Sequence, residues 1–341
     1  MTIRRILVIG SGKRVCEAAL PVIARAHGAF ELEGIISRTP KTIQSDCKDH
    51  EVLGFDSLTA ERLANIDLIY MVVSKTAVPK VLGRLGEFDC SKIDMLIETP
   101  VMLVRHLGHR SRLKPFRNVW VSEDCITLPC FDVLTKFLAT GAIGEIKSAT
   151  FDRSAYAYHG MAMVKTVLGG SRIRSASQSQ LEPGRRKRTI TLANGKTATV
   201  FDPRDYSKGT FLFQGESGSV SDQEGSDFLL EPVLQGPACT AFRIGGVQRE
   251  LSADEIELMG ERSEGIGITA WMDGMKRVGF LNLLQRIADG TGAYPLEAAI
   301  EDSVVDYYLE KLGRYRATPI TAPNSTFLRL AFSFLTKLTD R

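Results

Sequence analysis

The sequence predicts an α/β domain with a parallel sheet, followed by an α+β domain whose sheet is mostly antiparallel. Three observations carry that expectation. Ile6-Leu7-Val8-Ile9 runs straight into Gly10-Ser11-Gly12 and then into a helical pattern. Strand and helix patterns alternate up to Val121. The second half turns to paired alternating runs, two of them joined by Asn194-Gly195.

The elements follow in order. A four-residue apolar run is a strand buried on both faces. The glycines after it let the backbone approach a pyrophosphate, and the next helix offers unpaired amides and its positive dipole end. A third glycine of that fingerprint would fall at Val15, so the helix is expected to pack less closely on the strand. Leu32 to Ile36 forms a second strand ending in Ser37-Arg38-Thr39, at the spacing of a tip that holds an adenosine ribose. Lys41 to Cys47 has helical potential. Ile66 to Val73 is a buried strand with its tip at Val73-Ser74-Lys75, and Val78 to Leu85 an amphipathic helix. Ile93 to Ile97 leads into Glu98-Thr99-Pro100, and Val119 to Val121 closes the series. This is a Rossmann-type order over residues 1–122, with ligands expected at the carboxyl ends of the strands.

Residues 123–341 read differently. Phe131 to Ala139 is a short helix, Gly141 to Gly144 a turn and Ile146 to Phe151 a strand. Thr189 to Phe201 carries a type I′ hairpin signal at Asn194-Gly195. Thr210 to Phe213, Ser217 to Ser221 and a hairpin around Gly245-Gly246 add strands. Helical spacing returns over Thr269 to Ala288 and Pro295 to Leu312.

The 341 residues suit two domains, and 44% hydrophobic with 24% charged residues is ordinary for a globular chain. A net charge of +3 sets up no global field toward nucleic acid or membrane. The run Arg185-Arg186-Lys187-Arg188 precedes a hairpin without interleaved aromatics, which fits a solvated loop or a rim near an anionic substrate rather than nucleic acid. Six cysteines show no C-x-x-C pair and no metal-like spacing with the five histidines, so reduced, mostly buried thiols are expected and no metal. Asp202, Arg204 and Asp205 read as a turn. Lys13, Arg14 and Glu17 interrupt the amino-terminal apolar stretch, so no signal or membrane segment is expected and the location is read as cytoplasmic.

Taken together, Ile9-Gly10-Ser11-Gly12, Asp67-Leu68-Ile69-Tyr70, Glu98-Thr99-Pro100 and Gly141-Ala142-Ile143-Gly144-Glu145-Ile146 resemble the Gfo/Idh/MocA oxidoreductases. Phe213-Gln214-Gly215-Glu216-Ser217-Gly218 and the Tyr294-Pro295 helix are similar too. The resemblance covers most of the chain. It implies a Rossmann domain joined to a domain built on an open antiparallel sheet, a nicotinamide cofactor, Glu98 beside the nicotinamide ribose, and self-association through the second-domain sheet. Several positions depart from the family. Thr99 stands where members carry a lysine that contacts nicotinamide ribose and substrate oxygen. Ser74 and Val78 replace a common proline and histidine. Of an aspartate–histidine pair four residues apart, here Ala155 and His159, only the histidine remains.

The candidates for proton transfer are His159, because the unperturbed imidazole pKa lies near physiological pH, with Tyr156, Tyr158 and the hydroxyl of Thr99. A helix begun by residue 156 would put Tyr156 on one face with His159 and turn Tyr158 about 100° away. Lys165 would lie about 240° round from His159 and is expected to face solvent. Gly10, Ser11, Gly12, Lys13 and Arg14 are the expected diphosphate residues, with Val73, Ser74, Lys75 and Glu98 at the later strand tips. At the ribose tip no carboxylate stands to repel a 2′-phosphate. Ser37 and Thr39 offer hydroxyls there, Arg38 a planar fork, and Lys41 adds positive field, so NADP(H) is favoured over NAD(H). The expected function is NADP(H)-dependent hydride transfer to or from a small carbonyl, imine or hydroxyl substrate. A conventional sugar or cyclitol dehydrogenase with a re-sited base, and a non-catalytic dinucleotide sensor, are the alternatives.

Overall fold

The apolar runs assemble into two sheets in the computed structural model, which describes residues 3–170, 172–265 and 267–318. One compact unit takes the described residues up to Glu123 together with Phe280–Ile300, and the other takes Asp124–Gly279 and the described residues from Glu301 on.

The first unit contains β1 (Arg4–Ile9), β2 (Phe30–Ile36), β3 (Lys41–Ser45), β4 (Lys48–Leu53), β5 (Leu68–Met71), β6 (Asp94–Glu98) and β7 (Asn118–Ser122). Their order is β7-β6-β5-β1-β2-β4-β3, with the short strand Tyr294–Pro295 outside β7. From β7 to β4 the pairing is parallel, and the two edge strands run antiparallel. Ile6 to Ile9 expose no surface, which is why β1 shows no alternation. Ile9 lies level with Ile36 and Met71, and Met71 with Ile97, so Gly10, Ser37, Val72 and Glu98 stand level along one edge of the sheet. The order reverses at β1, with β2 on one side and β5 on the other, and a ligand crevice opens at such a switch point.

Helix α1 (Leu20–Arg25) is entered through a wide, π-type turn over Val15–Ala19, where Leu20 N–H donates to the Val15 carbonyl. Val15 is fully buried there, and the wider turn gives room to the side chain that replaces a glycine. A single helical turn, α2 (Ala60–Leu63), is capped by Thr59, whose hydroxyl accepts from Arg62 N–H. Helix α3 (Val78–Leu85) buries Val78, Val81, Leu82 and Leu85 on one face, as its spacing predicts.

The expected helix over Lys41 to Cys47 is instead β3 and the turn of a hairpin. Ile43 and Ser45 point inward at period two, and Asp46 and Cys47 both take positive φ, 48° and 59°, as a two-residue hairpin turn requires. Pairing with β4 outweighs a weak local helical preference.

The second unit holds β8 (Ile146–Asp152), β9 (Ile173–Glu182), β10 (Arg185–Leu192), β11 (Thr197–Asp202), β12 (Thr210–Gly215), β13 (Ser219–Ser221), β14 (Phe228–Gln235), β15 (Ala238–Ile244) and β16 (Val247–Glu250). They lie in the order β16-β15-β14-β13-β12-β8-β11-β10-β9, continued by the strand Arg314–Arg316. Only β8–β11 and β13–β14 pair in parallel among the described strands. Helix α4 (Pro129–Leu138) closes one face, with Phe131 edge-on to Phe211 at 5.9 Å.

Four expectations change here. The Asn194-Gly195 turn is not type I′: Gly195 takes positive φ (87°) and Asn194 does not. Leu192 accepts from Gly195 N–H at 3.1 Å and donates to the Lys196 carbonyl at 2.9 Å, which closes a three-residue loop. Arg185 to Arg188 form part of β10 rather than a solvated loop. Arg188 is 1% exposed and ion-paired to Asp202 (2.8 Å), Asp306 (2.6 Å) and Glu310 (2.7 Å), so Asp202 belongs to a buried ion cluster and not to a turn. Lys165 does not face solvent. It is 4% exposed, with Asp302 at 2.6 Å and Glu301 at 3.3 Å from Nζ. The face opposite His159 is covered by helix Leu296–Leu312, which supplies both carboxylates.

Candidate active site

A cleft of about 780 Å³ opens at the switch point of the first unit. Gly10, Ser11 and Gly12 line its floor, Ser37, Arg38, Thr39 and Lys41 one wall, and Val72, Val73 and Ser74 the other. Gly10 is required by the fold: its φ is +135°, and a Cβ there would lie 1.9 Å from the Val72 carbonyl oxygen. Gly12 is different. A Cβ on it would meet nothing within 4 Å, because that space belongs to the cleft. The helical bonding starts at the Gly12 carbonyl, which accepts from Val15 and Cys16 N–H, so the amides before Val15 have no helical partner. Bare glycine backbone, a helix start and an open cradle are what a diphosphate needs.

Cations gather at the β2 end of the cleft. Arg38 and Lys41 line it, the Lys41 ammonium donating to the Ser11 carbonyl at 3.2 Å, and Ser37 Oγ donates to the Thr39 carbonyl at 2.8 Å. Lys80 and Arg84 of α3 also line the cleft. Sequence reasoning passed over these two, although cations at i and i+4 on the helix after a strand tip are a readable signal. No carboxylate is among the lining residues. Lys13 does not line the cleft. It extends into solvent, 3.5 Å from Glu17 one helical turn on.

At the tips of β5 and β6 a second cluster forms around Glu98. Its Oε2 accepts from the Tyr70 hydroxyl at 2.5 Å and from Arg14 Nε at 3.1 Å. Its Oε1 accepts from the Thr99 amide at 3.0 Å and the Thr99 hydroxyl at 3.2 Å. Arg14 is therefore tied to Glu98, with its guanidinium 5.6 Å over the Phe280 ring, and does not line the cleft. Burial first, and the Glu98 charge next, push the Tyr70 phenol well above its ordinary range, which keeps it a hydrogen-bond donor. Lys75 Nζ donates to the Glu98 main-chain carbonyl at 2.9 Å. Burial lowers its pKa to about 8, against the opposing pull of the Glu98 charge.

In the second unit, helix α5 (Ala157–Val167) begins one residue later than the tyrosine–histidine expectation requires. Tyr156 precedes it in extended backbone, so the expected shared face with His159 does not form. Tyr158 is the nearer ring, 4.4 Å from His159 between centroids, against 6.4 Å for Tyr156. Tyr156 instead lies under the Arg204 guanidinium at 5.3 Å. Within this unit, Cys125 Sγ and a ring nitrogen of His159 approach within 4.8 Å.

No protein-family model matches the sequence, and no curated protein matches it by sequence. Solved structures do match in fold. A myo-inositol dehydrogenase from Corynebacterium glutamicum aligns over 93% of this chain and 100% of its own, with a TM-score of 0.60 at 14% identity. A scyllo-inositol dehydrogenase from Lactobacillus casei, solved with NAD(H) and scyllo-inositol, covers 92% and 99%, with a TM-score of 0.60 at 11% identity. An oxidoreductase from Thermotoga maritima covers 92% and 98%, with a TM-score of 0.59 at 13% identity. The chain shares the fold of these oxidoreductases. Among its described residues no helix is long and apolar enough to cross a membrane.

Proposed function

We propose that this protein is an NADP(H)-dependent oxidoreductase that moves a hydride between nicotinamide and a small carbonyl, imine or hydroxyl substrate. The observation that carries the reading is the cleft at the β1/β5 switch point, with its glycine floor, its cations and no lining carboxylate. Gly10, Ser11 and Gly12 would hold the diphosphate. Arg38, Lys41 and the Ser37 and Thr39 hydroxyls would take the 2′-phosphate, which an acidic residue at the same tip would repel. A bound nicotinamide supplies or accepts the hydride. Glu98, fixed from both oxygens, would orient the adjoining ribose. Within the second unit, His159 and Tyr158 would serve substrate binding. Thr99 is a weak candidate for proton donation, because its hydroxyl hydrogen already goes to Glu98.

A cyclitol substrate is the second reading, favoured by the inositol dehydrogenases among the fold neighbours. Fluorescence titration tests the first reading. NADPH is expected to bind at least about tenfold more tightly than NADH, and Arg38→Ala to erase most of that difference. Equal affinities would overturn the phosphate assignment, and no binding of either would overturn the dinucleotide reading.

A further inference from the structure

We infer that Lys75 is the proton donor of the reduction, acting from the tip of β5 in place of a lysine at position 99. This rests on the dinucleotide reading above and adds to it the residue that completes the chemistry. Three donors around these strand tips are committed to the Glu98 carboxylate: the Tyr70 hydroxyl, Arg14 Nε and the Thr99 hydroxyl. Lys75, between the cleft-lining residues Ser74 and Thr76, is not. Its one hydrogen bond among the described residues goes to the Glu98 main-chain carbonyl, at 2.9 Å. An ammonium carries three N–H donors, so two remain. The amine thus stands at the residue before Thr99, reached from the neighbouring strand rather than from β6 itself.

Its surroundings suit the task. Lys75 is half-buried and forms no ion pair within 4.0 Å among the described residues, whereas Lys165 lies between two carboxylates. Burial outweighs the pull of the Glu98 charge and brings its pKa down to about 8, so at neutral pH the amine holds a proton that it releases more readily than an ordinary lysine. In the reduction of a carbonyl, the substrate carbon gains the hydride and the C=O π pair moves to oxygen. The O–H bond forms as an Nζ–H bond of Lys75 breaks, and the neutral amine regains a proton from water. An imine nitrogen takes the proton in the same way. Oxidation runs the steps in reverse, with neutral Lys75 as base.

The test needs no substrate. An ammonium beside the nicotinamide repels the cationic ring of NADP⁺ and not the neutral ring of NADPH. In the wild-type protein the affinity for NADP⁺ is expected to rise about tenfold from pH 7 to pH 9, with a midpoint near 8, while NADPH affinity stays level. Lys75→Met should bind NADPH and show no such rise. Competitive acetylation with acetic anhydride, read by mass spectrometry on the wild-type protein, gives an independent measure. Lys75 should titrate near 8, and NADPH should protect Lys75 but not the exposed Lys13. Flat NADP⁺ affinity with normal NADPH binding, or unprotected Lys75, would overturn the inference and leave the dinucleotide reading intact. Failure of both coenzymes to bind would overturn the dinucleotide reading, and this inference with it.

Discussion

Two glycines of one turn are expected to fail in opposite ways when each becomes alanine. Gly10→Ala must place a Cβ 1.9 Å from the Val72 carbonyl oxygen, so that strand end has to retreat by about 1 Å to reach a tolerable contact. Gly10 N–H donates to Ile36 at 2.8 Å and Val72 N–H to Ile9 at 2.8 Å, so the retreat strains two buried main-chain bonds. Each is worth about 1 kcal/mol, and an alanine at φ +135° adds roughly 1–3 kcal/mol. A loss of about 3–5 kcal/mol follows, a large share of a typical margin of about 5–15 kcal/mol. Gly12→Ala meets nothing within 4 Å and should change stability by no more than about 0.5 kcal/mol. Its methyl group would stand where the diphosphate belongs, so NADPH affinity should fall at least about tenfold. Urea unfolding followed by circular dichroism gives the first quantity, and fluorescence titration the second. A Gly12→Ala protein that binds NADPH as the wild type does would refute the cradle. A Gly10→Ala protein of unchanged urea midpoint would refute the close approach of the two strands.

Other outcomes follow from groups outside the cleft. Lys165→Met leaves Glu301 and Asp302 buried without their cation and should cost about 3–5 kcal/mol in urea unfolding, where an exposed lysine would cost almost nothing. Tyr70→Phe removes the 2.5 Å bond to Glu98 and should cost about 1.5–3 kcal/mol by the same measurement. Burial raises Asp222 from 3.8 to about 6, so the folded protein keeps a proton there that the unfolded chain releases, and stability falls as pH rises from about 4 to 6. That loss is worth roughly 3 kcal/mol, and Asp222→Asn should lack it when urea midpoints are compared at pH 4 and pH 7.

The first unit was legible because its signals are local. An apolar run, a glycine turn and the next amphipathic helix sit side by side in the chain, and burial on both faces leaves little choice but a parallel strand. Val78 to Leu85 needed only its own spacing. Lys41 to Cys47 was not legible, since what decides it is pairing with Lys48–Leu53, and a five-residue window holds only half of that hairpin. Distance in sequence hid the ion partners for the same reason. The helical arithmetic turned Lys165 away from His159, but the carboxylates that bury it arrive 136 residues later. Arg188 pairs with Asp306 and Glu310 from that same later helix, so the last cation of a run read as a solvated loop is the centre of a buried ion cluster. At the strand tips, Thr99 looked like the loss of a charge. The structure supplies that charge from the segment after β5, where the long Lys75 side chain reaches the Glu98 main-chain carbonyl at 2.9 Å although 23 residues separate them. A motif scan tests one position at a time, whereas a parallel sheet lets neighbouring tips exchange residues without moving the chemistry. Where a strand-tip motif loses its functional group, the tip on the adjoining strand is the first place to look for it.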